Sequence, residues 1–432
     1  MIRVLNGLRL GTRLAGGVLL PLLLLMSQAA AQDLAISGAT ILTVTDGTIE
    51  NGTVVVRNGK ITAVGQDVPI PAGVPVIDGS GRYVMPGIVD AHSHMAMDRG
   101  VNEGSETVTP ELIIDMRNDD PQLYRALAGG VTTIHVLHGS ANVIGAQNAV
   151  IKLRWGHPLE DMYVEGAPRG MKFALGENPK RSTGRYPASR MGIEHTLRWW
   201  FNQAREYMKE WDAYEAARRR NPDLLPPRRD LRLEALADVL RGEILTHVHA
   251  YRADEMIMMM EVADEFGFTV ATFQHGLEGF KITNELAAHG AAVSAFADNW
   301  AYKVEAFDAI PHAMYLMWSR GVRVSLNSDS GERTRRMYQE AAKAMKYGGM
   351  PEDEALKLIT LYAAADVGID HLVGSIEVGK DGDFAIFNGH PFAPASRVEM
   401  TIIDGRVYFD REEAETLEKQ LARNAAERED DR

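Results

Sequence analysis

The sequence predicts an α/β fold in which one large barrel domain is flanked by a small β domain. Two observations carry this prediction. In the middle of the chain, short apolar runs alternate with amphipathic helical stretches, which is the pattern of repeated βα units and a parallel sheet. Runs rich in β-forming residues, broken by turn residues, occur both before and after that stretch, so the small domain is expected to be discontinuous. A barrel absorbs about 250 residues as one domain, and the 432 residues leave room for such a companion.

The first 31 residues are predicted to be a signal peptide. Arg3, Arg9 and Arg13 precede an apolar stretch, and "SQAAAQ" supplies the small residues of a cleavage site, which we place after Ala31. The alternative is a membrane anchor, but the apolar run over 14–26 is shorter than the roughly 20 residues that span a bilayer. We therefore expect a secreted or periplasmic protein that is not held in the membrane after cleavage.

Residues 32–83 and 377–410 are predicted to form the two parts of a discontinuous β-sandwich domain. In the first part, "GTVVVRNGKITAVG" places Asn58 and a glycine between two β-rich runs, which is a strong hairpin signal. The second part repeats this style in "GKDGDFAIFNGH" and "RVEMTIIDGRVYFD". The remaining residues, 411–432, form a charged tail that we expect to be an exposed helix.

Residues 84–376 are predicted to form a (β/α)8 TIM barrel. The candidate strands lie at 84–91, 131–137, 149–154, 171–175, 244–249, 269–274, 291–296 and 322–327. The stretch of about 177–243 is too long for one βα connection, and its apolar and aromatic residues recur at helical spacing. We therefore expect a helical insertion in which the aromatic residues serve packing.

Composition restricts both the partners and the metal chemistry. The chain has no cysteine, so any metal must be held by nitrogen and oxygen ligands. Without the first 31 residues it carries 43 basic and 59 acidic residues, a formal charge of −16, which argues against nucleic acid or an anionic membrane as a partner. Neither a phosphate-binding glycine-rich loop with GK[ST] nor a GxSxG elbow is present.

Five polar residues follow the ends of predicted barrel strands. His92 and His94 are two residues apart and would share a face at the end of the first strand. His249, His275 and Asp329 follow the fifth, sixth and eighth strands, and catalytic groups of such barrels converge from the carboxyl ends of several strands. Four imidazoles and a carboxylate suit a divalent metal such as Zn²⁺, with Mn²⁺, Fe²⁺ or Co²⁺ as alternatives. The competing interpretations are a surface pair for the first two, a core hydrogen bond for His275 and a helix N-cap for Asp329.

Several segments resemble the amidohydrolase superfamily of metal-dependent hydrolases. They are "VMPGIVDAHSH" for the first strand, "GVTTIHVLHGSANVIGAQNAVI" for the second, "VHAYRADEM" for the fifth, "TFQHG" for the sixth, "LNSDSG" for the eighth, and "ISGATILTVTDGTIENGTVVVRNGKITAVG" for the small domain. The resemblance covers nearly all of the mature chain and is closest to the imidazolonepropionase-like and prolidase-like group. It implies hydrolysis of a C–N bond in an amide, peptide or cyclic amide by metal-activated hydroxide, with prolidase-like cleavage of dipeptides as the more specific expectation.

The resemblance also assigns roles. His92 and His94 would bind the buried metal, while His249 and His275 would bind a metal each or share one. Asp329 would touch the metal, accept a proton from its water and pass it to the leaving nitrogen. His247 shares a face with His249 and competes for the fifth-strand position.

Two-metal members of the superfamily use a bridging carboxylated lysine at the end of the fourth strand. Lys172 is the first candidate for this role, and Lys152 and Glu177 are its rivals. A mononuclear deaminase of a heterocycle is the alternative reaction, because it needs one metal and no modified lysine. A non-catalytic barrel that binds a small molecule is the alternative from a different class of protein.

The substrate is expected to be a small molecule or a short peptide. Tyr251 and Arg252 are candidates for contacting a substrate carboxylate, and His138 is a candidate for lining the pocket. Their competing interpretations are a solvated charge for Arg252 and a packing role for His138. Because barrels of this kind often pair, a homo-oligomer is also expected.

Overall fold

The computed structural model describes residues 33–97, 102–180 and 184–418. The predicted signal peptide, with its cleavage site, and residues 419–432 of the predicted tail lie outside the described residues. Residues 411–418, the described part of that tail, are helical. None of the helices in the described ranges is both long and apolar enough to cross a bilayer.

The strands of the described residues form two sheets of eight strands each. In chain order they are β1 (Leu34–Leu42), β2 (Thr48–Arg57), β3 (Lys60–Gly65), β4 (Val76–Asp78), β5 (Tyr83–Pro86), β6 (Ile88–Ser93), β7 (Val131–Val136), β8 (Ile144–Lys152), β9 (Arg169–Ala174), β10 (Ile244–Ala250), β11 (Thr272–His275), β12 (Ala292–Ala295), β13 (Val324–Leu326), β14 (Phe384–Phe387), β15 (Val398–Ile403) and β16 (Arg406–Asp410).

The first sheet forms the flanking domain, and it is discontinuous as predicted. Its order is β16-β15-β14-β5-β1-β2-β3, with β4 also paired to β1, so strands from before and after the barrel hydrogen-bond in one continuous sheet. The predicted hairpin joins β2 to β3, where Arg57 pairs with Lys60 across Asn58 and Gly59. Both turn residues have positive φ, 50° and 77°, which the Asn-Gly pair tolerates and most residues do not.

The second sheet is the barrel, in the order β6-β7-β8-β9-β10-β11-β12-β13. The predicted barrel is confirmed, but the expected direction of its third strand is wrong. That strand is Ile144–Lys152 rather than 149–154, and it runs antiparallel to both neighbours. Only residues 137–143 separate it from β7, whereas a parallel return needs a crossover of a dozen or more residues.

The two ends of the barrel sheet are joined through a short segment rather than by direct pairing of β6 with β13. The N–H of Val89 donates to the carbonyl of Ile359 at 2.9 Å, and the N–H of Leu326 donates to the carbonyl of Leu358 at 2.8 Å. The barrel is therefore nearly closed. The predicted first strand, 84–91, is divided at Gly87, where a Cβ would overlap Thr132, so its two halves enter different sheets.

Helices surround the barrel and form most of the predicted insertion. The α-helices are α1 (Pro121–Leu127), α2 (Glu177–Lys180), α3 (Arg190–Arg218), α4 (Leu231–Leu240), α5 (Ala253–Phe266), α6 (Thr283–His289), α7 (Ala313–Trp318), α8 (Met337–Lys343), α9 (Glu352–Lys357) and α10 (Leu361–Asp366). Short 3₁₀ turns cover Leu159–Asp161, Gly279–Lys281, Val304–Ala306 and Thr334–Arg336, and a π turn covers Ala344–Gly348.

The stretch 177–243 contains α2, α3 and α4. Ser189 caps α3 by accepting a hydrogen bond from the N–H of Gly192 at 3.2 Å. Phe201 on the same helix is fully buried, with its ring centroid 6.1 Å from that of Phe173 on β9. Trp199 is 54% exposed, so the expectation that the aromatic residues of this segment all serve packing is wrong for that side chain. A helix this long presents two faces, and only one of them meets the barrel.

Candidate metal centre

The imidazoles of His92 and His94 meet at the carboxyl end of β6. Their Nε2 atoms are 3.4 Å apart. Oδ1 of Asp329, which follows β13, lies 3.0 Å from Nε2 of His94 and 3.8 Å from Nε2 of His92. The first and eighth barrel strands are neighbours across the closure, which is why residues more than 230 positions apart in sequence converge here.

Hydrogen bonds fix which ring nitrogens face the centre. Nδ1 of His94 lies 2.5 Å from the carbonyl oxygen of Leu137, and Nδ1 of His92 lies 3.0 Å from Oε1 of Gln274. Oxygen atoms of this kind can only accept, so each Nδ1 carries the proton and each neutral ring presents a lone pair at Nε2. Both Nε2 atoms lie within 3.8 Å of Oδ1 of Asp329.

Backbone contacts hold Asp329 in place. Its φ is 44°, in the left-handed region, and its N–H donates to the carbonyl of His92 at 3.1 Å. The buried carboxylate of Asp90 accepts hydrogen bonds from the N–H of Ser328 at 2.9 Å and from its hydroxyl at 2.5 Å. Burial alone would raise the pKa of Asp329, but its contact with His94 and the electrostatic influence of His275, His94 and Lys172 outweigh it and lower this pKa to about 2. The group is therefore a carboxylate at neutral pH.

Lys172 of β9 reaches the same centre from inside the barrel. Its side chain is fully buried, and its Nζ lies 3.2 Å from Nε2 of His92. Burial lowers the pKa of Lys172 to about 7, although the charge of Asp329 acts in the opposite direction. A large share of the amine is therefore neutral near pH 7, and the neutral amine is the form that can be carboxylated.

His275 and His249 extend the cluster along the barrel rim. The ring centroid of His275 lies 4.9 Å from that of His92 and 4.8 Å from that of His249. Both rings are buried, and Nδ1 of each has no hydrogen-bonding partner among the described residues. Nε2 of His249 lies 2.9 Å from Nδ2 of Asn178. The structure thus brings together all six residues that the sequence assigns to the metal.

This donor set fits a divalent cation. Nε2 of His92, Nε2 of His94 and Oδ1 of Asp329 lie within 4.8 Å of one another, and all three present lone pairs. Lone pairs that converge at such distances repel one another unless a cation or a proton lies between them. The rings of His249 and His275 lie beside this group, and the buried Nδ1 atom of each has no hydrogen-bonding partner among the described residues. Imidazole and carboxylate ligands suit Zn²⁺ and the other first-row divalent ions.

Three other residues that the sequence offered as metal ligands lie outside the candidate metal centre: His247, Lys152 and Glu177. The ring of His247 packs on His135, with centroids 4.4 Å apart, one layer deeper in the barrel. The ammonium of Lys152 is 1% exposed and is bound by three carboxylates at the boundary with the flanking sheet. Glu177 lies at the rim, where its Oε1 is 3.5 Å from Nζ of Lys303, and it does not belong to the cluster around His92. The strand pattern did not distinguish these residues, because it gives the direction of a side chain but not its depth.

The three predicted substrate residues differ in their surroundings. Both ring nitrogens of His138 are used by the backbone, since Nδ1 donates to the carbonyl of Gly139 at 2.6 Å and Nε2 accepts from the N–H of Ala146 at 2.9 Å. Its ring still lines a cavity of about 340 Å³. Tyr251 stacks on His275 with centroids 5.3 Å apart. The guanidinium of Arg252 makes two hydrogen bonds to the next carboxylate, Asp254, at 2.8 and 2.9 Å.

Sequence reasoning missed Gln274, Asn178 and Asp90. Gln274 immediately precedes His275, and alternation along a strand would send the two side chains to opposite faces. Both reach the centre because His275 leaves the strand with a φ of 77°. The available signal for Asp90 was its spacing, since it stands two residues before His92 and shares its face. Asn178 lies in α2, the short helix after β9, and gave no signal.

Comparison with known proteins agrees with this geometry. The model of the amidohydrolase family matches residues 83–408. Amidohydrolase tasK of Hapsidospora irregularis is 30% identical over 394 residues, which are 83% of this chain and 40% of tasK, so the chain spans less than half of that relative. The 5-methylthioadenosine/S-adenosylhomocysteine deaminase of Symbiobacterium thermophilum is 24% identical over 441 residues, covering 87% of this chain and 93% of the deaminase.

Among solved structures, an amidohydrolase from Thermotoga maritima MSB8 is 34% identical with a TM-score of 0.80. The match covers 88% of this chain and 100% of that one. Members of this family typically bind a metal, which is consistent with the histidines and the aspartate gathered at the barrel mouth. The chain therefore belongs to the amidohydrolase family and is a hydrolase that acts on carbon–nitrogen bonds.

Proposed function

We propose that this hydrolase cleaves the amide bond of a dipeptide or a similarly small amide, in a prolidase-like reaction at a two-metal centre. The observation that carries the proposal is the position of Lys172. It is a fully buried lysine whose Nζ lies 3.2 Å from a predicted metal ligand, Nε2 of His92. After carboxylation, this side chain would offer two oxygens in place of one amine, which suits a bridge between two ions.

His92, His94 and Asp329 would hold one ion, and His249 and His275 would hold the second, with Lys172 between them. A divalent ion bound there lowers the pKa of its water toward about 7 and polarises the substrate carbonyl. Zn²⁺ is the first candidate, and Mn²⁺, Fe²⁺ and Co²⁺ suit the same donors.

The protein's own groups supply positioning and proton transfer. Asp329 is ionised at neutral pH, so its carboxylate can accept a proton from the attacking water and return it to the leaving nitrogen. Gln274 and the carbonyl of Leu137 keep the two imidazoles of His92 and His94 in one tautomer and one orientation. His92, His249 and His275 are buried, which keeps bulk water from the inner side of the centre and strengthens the electrostatic contacts there. The side chains of His94 and Asp329 are 31% and 26% exposed.

Deamination of a heterocycle is the second candidate, because the Symbiobacterium relative bears the name of a deaminase. That reaction would place water on a ring carbon and release ammonia. It would use one metal and leave Lys172 as an unmodified amine.

Metal content separates the two candidates. The protein is purified without chelator, and metal per chain is measured by mass spectrometry for the wild type, Lys172→Gln and the control Lys281→Gln, which changes a lysine at the barrel rim. The same preparations are assayed with dipeptides, lactams and aminated heterocycles. We expect two equivalents in the wild type and the control, fewer in Lys172→Gln, and hydrolysis of a dipeptide. The proposal would be overturned if the wild type and Lys172→Gln each held one equivalent of metal and the protein released ammonia from a heterocycle.

A further inference from the structure

The long inserted helix α3 extends beyond the part of the protein that packs against it. None of its residues after Tyr207 is buried, and residues 215–226 are all exposed. The chain turns back just after the helix, where the N–H of Leu224 donates to the carbonyl of Asn221 at 3.2 Å. We call residues 218–229, with the sequence RRRNPDLLPPRR, the arginine tip.

The arginine tip is basic in an acidic protein. It carries five arginines and one aspartate, whereas the whole chain has a formal net charge of −13. Arg229 makes two hydrogen bonds to Glu234, and Arg218 lies 3.5 Å from Glu215. The other arginines of the tip are exposed and form no ion pair with a described residue: Arg219, Arg220 and Arg228. Three guanidiniums are therefore available to an anionic partner.

Two leucines lie between the two groups of arginines in the tip. Leu225 is 85% exposed, more than any other large hydrophobic side chain of the described residues, and Leu224 is 37% exposed. Prolines precede and follow the pair at positions 222, 226 and 227, and they restrict the backbone that holds it. Exposed apolar side chains flanked by arginines are typical of segments that bind at the surface of a membrane.

The acidic body of the protein does not cancel this local charge. A helix rises 1.5 Å per residue, so Arg218 lies about 16 Å along α3 beyond Tyr207, the last buried residue of that helix. The Debye length at physiological ionic strength is about 8 Å. The net charge of the whole chain argues against an anionic membrane, but salt screens the acidic body from a surface that the tip touches. At that surface the charge of the tip itself decides.

We propose that the arginine tip docks the protein on an anionic lipid surface. The planar guanidiniums would bind lipid phosphates, and Leu224 and Leu225 would enter the boundary between the headgroups and the acyl chains. Nucleic acids and acidic polysaccharides offer anions without an apolar layer, so they would leave the two leucines in water. The inference does not depend on the proposed reaction, because the tip contains none of the residues of the candidate metal centre.

Flotation with lipid vesicles tests the inference. The purified full chain is mixed with vesicles of phosphatidylcholine or of phosphatidylglycerol at several NaCl concentrations. The variants are the double change Arg219→Glu with Arg220→Glu, the single change Leu225→Ser, and the matched control Arg320→Glu with Lys346→Glu. This control makes the same change of charge at two exposed cations outside the tip. All proteins share one N-terminal segment, so differences between them report on the changed residues.

We expect the wild type and the matched control to float with phosphatidylglycerol vesicles but not with phosphatidylcholine vesicles, and to bind more weakly as salt rises. The apparent affinity of the double arginine variant should fall at least about 10-fold, because each arginine near an anionic surface contributes a factor of about 5. Leu225→Ser should bind more weakly than the wild type at every salt concentration, because an apolar contact is not screened.

Three results would overturn the inference. They are a wild type that does not float with phosphatidylglycerol vesicles, a matched control that loses as much affinity as the double arginine variant, and a Leu225→Ser variant that binds like the wild type. Light scattering adds a further check: if the double arginine variant converts a dimer to monomers, the tip is an interface between copies of this chain and the inference is wrong. Melting temperatures equal to that of the wild type show that lost binding is not unfolding.

Discussion

At the candidate metal centre, the decisive residues are those that fix the ring nitrogens. A neutral imidazole has one donor and one acceptor nitrogen, and the hydrogen bond at one atom determines the role of the other. Gln274 and the carbonyl of Leu137 bind the Nδ1 atoms of His92 and His94, so the two Nε2 atoms are available to a metal. Partners of this kind are worth about 10- to 100-fold in metal affinity or activity.

Asp329 offers the sharpest test at this scale. Asp329→Asn preserves the shape of the side chain but cannot accept a proton, so we expect kcat to fall by about 10²- to 10⁴-fold. Circular dichroism and the melting temperature should show an intact fold. Asp308→Asn is the matched control, since that carboxylate is exposed at the same rim and pairs with Lys281. An Asp329→Asn variant that keeps more than about a tenth of wild-type kcat would exclude a proton-transfer role for this residue.

At the level of secondary-structure elements, β8 ends in a buried lysine whose ammonium contacts carboxylates of the flanking sheet domain. Lys152 at its end lies 2.8, 2.9 and 2.6 Å from oxygens of Asp381, Asp383 and Asp404, which come from the segments around β14 and β15. Burial alone would lower the pKa of Lys152, but these three charges outweigh it and raise that pKa. The ammonium therefore stays charged and joins the barrel to its companion domain.

Lys152→Met should destabilise the protein strongly, because it leaves three carboxylates together without their buried counter-charge. We expect a loss of about 3–5 kcal/mol in the free energy of unfolding, measured with urea. Lys60→Met is the matched control, since Lys60 pairs with Asp381 at 2.5 Å but is 46% exposed. An exposed pair contributes about 0–1 kcal/mol, so equal losses in the two variants would contradict this account.

The inserted helix α3 is anchored near its start by a partly exposed arginine that contacts two buried carboxylates. Arg190 bonds to Glu255 of α5 at 2.5 Å and to Glu305 of the loop after β12. One guanidinium thus faces two carboxylates. Burial, reinforced by the charge of Glu305 and opposed by Arg190, raises the pKa of Glu255 to about 7.

This shift predicts a pH dependence of stability. Between pH 4.5 and about 7 the folded state keeps a proton on Glu255 that the unfolded state has lost, so stability should fall as pH rises through this window. The contribution is on the order of 3 kcal/mol. The difference in unfolding free energy between Glu255→Gln and the wild type should therefore change by this amount across the window, as measured by urea unfolding at several pH values. A difference that does not vary with pH would show that Glu255 titrates normally.

For the molecule as a whole, the described part of the chain builds two sheets of eight strands each. β1 to β5 precede the barrel and β14 to β16 follow it, and all of them pair in one sheet. We propose that the residues before β1 direct export to the periplasm or the medium and are then removed.

Processing of the exported chain tests this proposal. We expect cleavage after Ala31, so the mature protein should begin at Gln32 when its intact mass is measured. Ala31→Arg should block cleavage, because the site requires a small residue there, whereas Ala30→Gln is a neighbouring change that should be tolerated. Retention of the full-length mass in the exported wild type would contradict the predicted site.

Three features could be predicted from the sequence alone: the barrel, the discontinuous sheet domain and the residues that converge on the candidate metal centre. These features follow from local rules: a period of two along strands, turn chemistry at Asn58, and the position of functional groups at the carboxyl ends of barrel strands. Each rule acts over a few residues, so the sequence displays it directly.

Other features became visible only in the folded chain: the direction of β8, the different surroundings of Lys172 and Lys152, and the contacts of Gln274 and Asn178. Both lysines lie on apolar strands, and they differ in what surrounds them, a histidine for one and three aspartates for the other. Those partners are between 80 and 252 residues away in sequence. Burial and counter-charge depend on such distant contacts, and the physical properties of these groups therefore emerge only when the chain has folded.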